Sequence, residues 1–265
     1  MTTSLTLHPN VTVVLRTAIC CLLMFTAGCA ARGTAEQGQL NDPFEPVNRG
    51  IFAFNDVADK YVLRPVAVGY QWLLPGFLRT GVNNFFDNIS YPVDIVNALL
   101  QGKPTQFASD SARFLLNSTV GLAGILDPAT AAGLAKNNED FGQTLGVWGV
   151  PEGPYIVVPF FGPRTIRSGT GDLVDALYNP QFRLFSSSVR TKAYILWVIQ
   201  QRSTLLGVDK ELNRAFDRYA FLRDAYLQNR EYLLYDGDPP EEDLFFDDEF
   251  EDEFGAEFED EFEAE

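Results

Sequence analysis

Asn41-Asp42-Pro43-Phe44-Glu45-Pro46-Val47-Asn48-Arg49-Gly50-Ile51-Phe52-Ala53-Phe54-Asn55 sets the class of this chain. Asp42 supplies a capping carboxylate, and Pro43 suits a first helical turn, whose N–H has no partner to lose. Val47, Ile51, Phe54, Ala58 and Tyr61 then recur at helical spacing, the apolar stripe of an amphipathic helix. Asn48, Arg49, Asn55, Asp56 and Asp59 fill the other side. Because the residue before a proline avoids helical angles, Arg64-Pro65 is expected to end this helix.

Outward from this segment the same kind of pattern returns in short pieces. Helices are expected at Val66 to Leu74, Phe77 to Phe86, Val93 to Leu100 after Pro92, and Pro104 to Thr119. Phe141 to Gly149 is a glycine-spaced helix or turn. Ser168-Gly169-Thr170-Gly171-Asp172 reads as punctuation before a short helix ending near Tyr178. Ser188 to Leu206 follows, and Asp209 to Leu234 is expected to be the longest helix. In that last helix Leu212, Phe216, Tyr219, Leu222, Tyr226 and Leu233 form the apolar face, and the charged side is read as solvated. Tyr155 to Phe161 is the one extended-looking run. Gly (21) and Pro (15) are spread along the chain as punctuation, which fits many short elements. The fold class is mainly α.

Two features of the middle of the chain bear on function. Gln106, Asp110, Arg113 and Asn117 share one side of the helix after Pro104. Such a line reads as a solvated face or an internal ion pair ahead of a lined pathway. Gly121-Leu122-Ala123-Gly124-Ile125-Leu126-Asp127-Pro128 is apolar but broken by two glycines and a proline, so a hairpin-like connection with a hydrophobic tip is expected.

The N-terminal residues read as a secretory leader. A lone basic residue, Arg16, precedes an uncharged apolar stretch that runs to Ala27-Gly28-Cys29. The pattern resembles a bacterial lipoprotein signal, cut before a cysteine that then carries acyl chains. On this reading residues 1–28 are the signal, Cys29 is the lipidation site, and residues 29–41 are a tether. The only histidine, His8, leaves with the signal, as do Cys20 and Cys21. Zinc sites built from His and Cys, Ser-His-Asp and Cys-His catalytic arrangements, and intrachain disulfides are then excluded. No cofactor or metal is expected. After the signal no apolar run approaches the roughly 18 residues of a spanning helix.

The formal net charge of −16 is not spread evenly. Residues 236–265 hold 17 of the 36 acidic residues and no Lys or Arg. The body, residues 42–235 with the tether before it, is formally neutral. It offers no concentration of Lys and Arg for a nucleic acid. The tail repeats Phe250, Phe254, Phe258 and Phe262 among acids and is expected to be disordered in isolation, with partner binding an open role. Gly169-Thr170-Gly171 lacks the strand and third glycine of a dinucleotide loop, and no phosphate-loop Gly-Lys-Ser/Thr occurs. Carboxylate pairs such as Asp172 and Asp175 are explained by capping and surface pairing.

Several separated motifs resemble the MlaA (VacJ) lipoprotein family. They are Asn41 to Arg49, Phe52-Ala53-Phe54-Asn55, Val62 to Ala67, Arg113-Phe114-Leu115-Leu116-Asn117, Gly121, Asp127, Phe141 to Gly146, Gly153-Pro154-Tyr155, Val158 to Gly162, Arg167, Gly171-Asp172 and Asp175 to Tyr178. The likeness covers roughly Asp42 to Tyr232 and leaves out the Phe-acidic tail. It implies a ring of short helices around a central channel, lying in the inner leaflet of a Gram-negative outer membrane. It implies porin trimers and a soluble periplasmic carrier of the MlaC type as partners. The channel would take misplaced phospholipid from the outer leaflet and pass it to that carrier. Ala30 after the cysteine is compatible with outer-membrane sorting. For such a channel the polar faces of the first helix (Asn48, Asn55) and of the helix after Pro104 (Arg113, Asn117) supply the candidate lipid-pathway residues, and Gly121, Gly124 and Pro128 in the glycine-broken segment a candidate hinge or gate. The other classes are a scaffold lipoprotein that binds porins without transporting, and a phospholipid-modifying enzyme, which would have to work without histidine.

Overall fold

The computed structural model of the chain describes residues 42–182 and 186–240. Cys29, the leader, the tether and the Phe-acidic tail beyond Pro240 lie outside the described residues. The described residues belong to the unit that begins at Asp42.

The opening segment forms α1 (Glu45–Ala58), with Pro46 in its first turn. The helix does not end at Arg64-Pro65. A π-helical turn, Asp59–Leu63, carries it into α2 (Arg64–Leu73). The wider turn bonds the Arg64 amide to the Asp59 carbonyl and sets Pro65 in the first turn of α2, where no N–H is required. The two helices expected around Pro92 are one, α3 (Gly76–Leu100), with Pro92 inside it. An interior proline costs about 3 kcal/mol. Burial of Tyr91, Val93 and Ala98 against neighbouring helices outweighs that cost.

The next elements are α4 (Pro104–Thr119), α5 (Pro128–Ala131) and α6 (Phe141–Val147). Then β1 (Tyr155–Val158) pairs antiparallel with β2 (Gly162–Thr165), Tyr155 opposite Thr165. The second strand, Gly-Pro-Arg-Thr, has no apolar alternation to announce it. Helix α7 (Ile166–Tyr178) includes the stretch read as punctuation. Thr165 and Ser168 form a capping box that starts it, and Gly171 lies at its crossing with α6. A Cβ on Gly171 would lie 2.7 Å from the Gly142 Cα, so these glycines allow close backbone approach.

After a short 3-10 turn, Pro180–Phe182, come α8 (Ser187–Thr204) and a second 3-10 turn, Leu205–Gly207. The long last helix expected from Asp209 is two, α9 (Asp209–Arg214) and α10 (Arg218–Leu234). Asp217 breaks it, because its carboxylate accepts from the Tyr219 and Ala220 amides as an N-cap. Phe216 is thereby fully exposed instead of joining the apolar face, while Arg223 and Arg230 on the side read as solvated are buried.

Contacts between elements close a circuit: α1 with β1, β1 with β2, β2 with α7, α7 with α6, α6 with α3, α3 with α8, α8 with α2, and α2 through the π turn with α1. The interior is unusually polar. Among the described residues 18 buried side chains are polar or charged and 9 are apolar. Large apolar side chains instead crowd the outside, including Trp72, Leu73, Phe77, Leu122, Phe161 and Leu173. No described helix is long and apolar enough to cross a membrane.

Candidate functional site

A cleft of about 490 Å³ opens where the end of α1, the π turn, the β-hairpin, the end of α8, α9 and the start of α10 meet. One part of its lining is apolar, from Phe52, Val157, Leu205, Val208, Leu212 and Leu222. The rest carries paired charges. Arg202 grips Asp59 with Nε and Nη2 at 2.7 and 2.9 Å, and Nη2 also reaches Asp209 at 2.8 Å. Arg64 Nε donates to the other Asp209 oxygen at 2.8 Å. Arg218 holds Asp56 in a two-pronged contact of 2.6 and 3.0 Å. Burial raises the Asp209 pKa, but Arg64 and Arg202 together draw it below the ordinary carboxylate range. The hydrogen bond to Asp59 leads the effects that keep Arg202 charged. The result is an amphipathic concavity with fixed charges and an oily lining.

The four sequence-chosen pathway residues are not gathered there. Asn55 lines the cleft, yet its amide spans the strand end, donating to Val158 O at 3.1 Å and accepting from Phe160 N at 2.8 Å. Asn48, one turn pair earlier on α1, is buried and does the same for β1: it donates to Tyr155 O at 3.0 Å and accepts from Val157 N at 2.9 Å. Its amide nitrogen also reaches Asp42 at 2.8 Å. Asp42 accepts from the Tyr219 hydroxyl and lies 3.5 Å from Arg223, so the start of the domain is tied to α10.

Arg113 and Asn117 occupy a second hub, away from the cleft lining. Arg113 Nε donates to the Tyr91 hydroxyl at 2.6 Å, Nη1 to the Leu134 carbonyl, and Nη2 to Thr130 and both Asp127 oxygens at 3.0–3.1 Å. Asn117 donates to Asp127 at 3.0 Å and accepts from the Ala129 amide at 3.1 Å. This is the internal ion pair that the sequence left open. Of the same line, Asp110 is also buried, with one oxygen bonded to Asn137 at 3.0 Å.

Gly121 to Pro128 forms a tight connection against α3 with an apolar tip of Leu122, Ile125 and Leu126. A Cβ on Gly121 would stand 2.5 Å from the Leu126 carbonyl oxygen. Gly124 has φ +90°, and a Cβ there would meet the Asn88 side chain. Asn84 donates to Ile125 O at 3.3 Å. Pro128 begins α5 directly behind its cap, Asp127.

Asp59, Arg64, Arg202, Asp209 and Arg218 were not singled out from the sequence. They lie on α1, α2, α8, α9 and α10 or the turns between, and nothing local links them. The signal available was the charge at each helix end beside Pro65, Leu205 and Phe216. Among the described residues no group of three or more His, Cys, Asp and Glu is placed to hold a metal ion.

The family pattern described as "MlaA lipoprotein" matches residues 40–233. The chain is 38% identical over 215 residues to the "Intermembrane phospholipid transport system lipoprotein MlaA" of Shigella flexneri, covering 80% of this chain and 85% of that protein. The protein of the same name from Escherichia coli (strain K12) is 37% identical over the same shares. An uncharacterized protein of Rickettsia prowazekii is 38% identical over 75% of this chain and 81% of its own length. A solved structure, reported as "Structural basis for maintenance of bacterial outer membrane lipid asymmetry", superposes with a TM-score of 0.67 at 36% identity, over 74% of this chain and all of the other. With one family pattern running through nearly the whole described body, the chain belongs to the MlaA lipoprotein family.

Proposed function

We propose that this protein is a passive phospholipid conduit that removes misplaced phospholipid from the outer leaflet of an outer membrane and hands it to a periplasmic carrier. The observation that carries this reading is the inversion of polarity: a charged, partly apolar cleft lies within a body whose exterior is studded with large apolar side chains. A headgroup cannot cheaply enter hydrocarbon, because burying unpaired charge is costly. Fixed ion pairs beside leucines lower that barrier for a molecule that is polar at one end and oily at the other. The names of the relatives in Shigella and Escherichia, which specify phospholipid transport, point the same way.

In this reading the helices lie partly within the periplasmic leaflet, with Trp72, Leu73 and Phe77 among the side chains facing acyl chains. Cys29 carries the lipid anchor that retains the protein. Porin trimers hold it in place, and a carrier of the MlaC type receives the lipid. Asn55 faces the pathway, and Asn48, Arg113 and Asn117 keep its walls in register. The Gly121–Pro128 connection, with its glycines and exposed tip, serves as the gate, pivoting on Gly121, Gly124 and Pro128.

The test is complementation of a strain lacking the gene, read as phospholipid exposed in the outer leaflet. Wild type is expected to clear it, and Cys29→Ala to clear it poorly at equal abundance. No clearance by wild type would sink the proposal.

A further inference from the structure

We propose that the Phe-acidic tail docks in the cleft of its own chain: Phe254 seats against the apolar lining, and the acids beside it meet the cations at the rim. The occupant is a segment of this protein that lies outside the described residues. This goes beyond the conduit reading and does not rest on it.

The cleft has the two properties such an occupant needs. Leu205, Leu212 and Leu222 give it an oily wall. Its charged lining is unbalanced, with Lys60, Arg64, Arg202 and Arg218 against Asp56, Asp59 and Asp209. The next residue of α9, Lys210, adds a second surplus cation, while Glu211 is offset by Arg214 at 3.1 Å. Lys60 and Lys210 are exposed and make no ion pair among the described residues. Carboxylates can therefore gather at the rim without displacing an existing pair. A volume of about 490 Å³ admits a phenylalanine side chain and leaves its acidic neighbours at the edge.

The tail has the complementary pattern. Residues 236–265 carry 17 acids and no Lys or Arg, and Glu251-Asp252-Glu253 directly precede Phe254. One short stretch thus offers an aromatic anchor and several negative charges. An anchor in an apolar pocket supplies most of the energy of docking, and rim charges set orientation and rate. Because both parts belong to one chain, seating is intramolecular and needs little intrinsic affinity. The reach is sufficient. Helix α10 starts at Arg218 in the lining and ends at Leu234, about 25 Å away by helical rise. Beyond it Asp236 and Gly237 take positive φ, the Gly237 amide bonds the Tyr232 carbonyl at 2.8 Å, and Lys103 holds Asp236 at 2.6 Å. The tail therefore leaves from a held point. Phe254 lies 14 residues past Pro240, roughly 46 Å of extended chain, enough to run back along α10. A seated Phe254 closes the cleft to any other apolar molecule, so the tail is an internal stopper that must be displaced before the cleft is used.

The experiment is oxidative crosslinking of the purified full chain in detergent. Phe254→Cys is combined with Asn213→Cys, at an exposed residue of the lining, or with Asn229→Cys, at an exposed α10 residue outside the lining and nearer the root of the tail. Chains with one of these substitutions alone are the blanks. Bridging within one chain should be at least about tenfold faster to position 213 than to position 229, the preference that a modest net affinity of tail for cleft gives. Lys60→Glu together with Lys210→Glu should remove that preference. Both lysines are exposed and make no ion pair, so this variant should melt as its parent does. Equal rates at the two positions, bridges only between two chains, or a preference untouched by the double charge reversal overturns the proposal.

Discussion

Arg113 donates to Tyr91, Leu134, Asp127 and Thr130 from a position that is 1% exposed. Cutting it to alanine leaves Asp127 without its cation and strands the buried Tyr91 hydroxyl oxygen. Arg113→Ala should cost about 3 kcal/mol in urea unfolding, the low end for breaking a buried pair, because Asp127 keeps some solvent. Arg113→Lys should not restore it, since one ammonium cannot match a planar fork of five donors. Asp94 is buried as well. Burial, with Asp110 and Glu139 nearby, holds its pKa well above normal despite the Glu139 amide bond and the charge of Lys136. The folded state therefore keeps a proton that the unfolded chain releases, and stability falls as pH rises from the ordinary carboxylate range through the folded pKa. Asp94→Asn, which retains an acceptor for the Glu139 amide, should flatten that fall in melting curves taken from pH 4 to 8. An unchanged slope would assign it to another group.

At the scale of elements, packing overrides local grammar in consistent ways. Gly142 and Gly171 permit α6 and α7 to touch backbone to backbone, so Gly171→Ala should push them apart and destabilise by about 1–3 kcal/mol, measurable by chemical denaturation. The same contact explains why α7 runs through glycines that look like punctuation. Periodicity made α1, α4 and the start of β1 legible, along with the apolar hairpin-like connection. It could not show that a π turn would carry the chain past Arg64-Pro65, that tertiary burial would absorb Pro92, or that Asp217 would cap a new helix, because each depends on partners distant in sequence. The proposed gate is one such element, Gly121 to Pro128 against α3. Cysteines at positions 84 and 125, chosen because Asn84 bonds Ile125, should slow phospholipid clearance when oxidised and restore it when reduced. Unchanged clearance in the oxidised state would remove the gate role.

For the whole molecule the governing fact is polarity turned outside in. Each large apolar side chain moved from water into hydrocarbon is worth about 1.5–3 kcal/mol. Replacing Trp72, Leu73 and Phe77 together by serine should therefore release the Cys29→Ala form from membranes during fractionation. The sequence disclosed amphipathic helices and a neutral body, and family motifs pointed to a channel. The cleft itself was illegible, because its ion pairs join residues up to 162 positions apart. Asn48, Arg113 and Asn117 looked equally polar in sequence, but their hydrogen bonds are spent on the frame.

In the proposed function phospholipid passes through the cleft that Leu212 lines. Its most direct test is the outer-leaflet phospholipid of a strain lacking the gene, complemented with Leu212→Trp at wild-type abundance and with an unaltered melting temperature. Phospholipid is expected to stay in the outer leaflet although the protein is correctly folded and anchored. Clearance equal to wild type would contradict it.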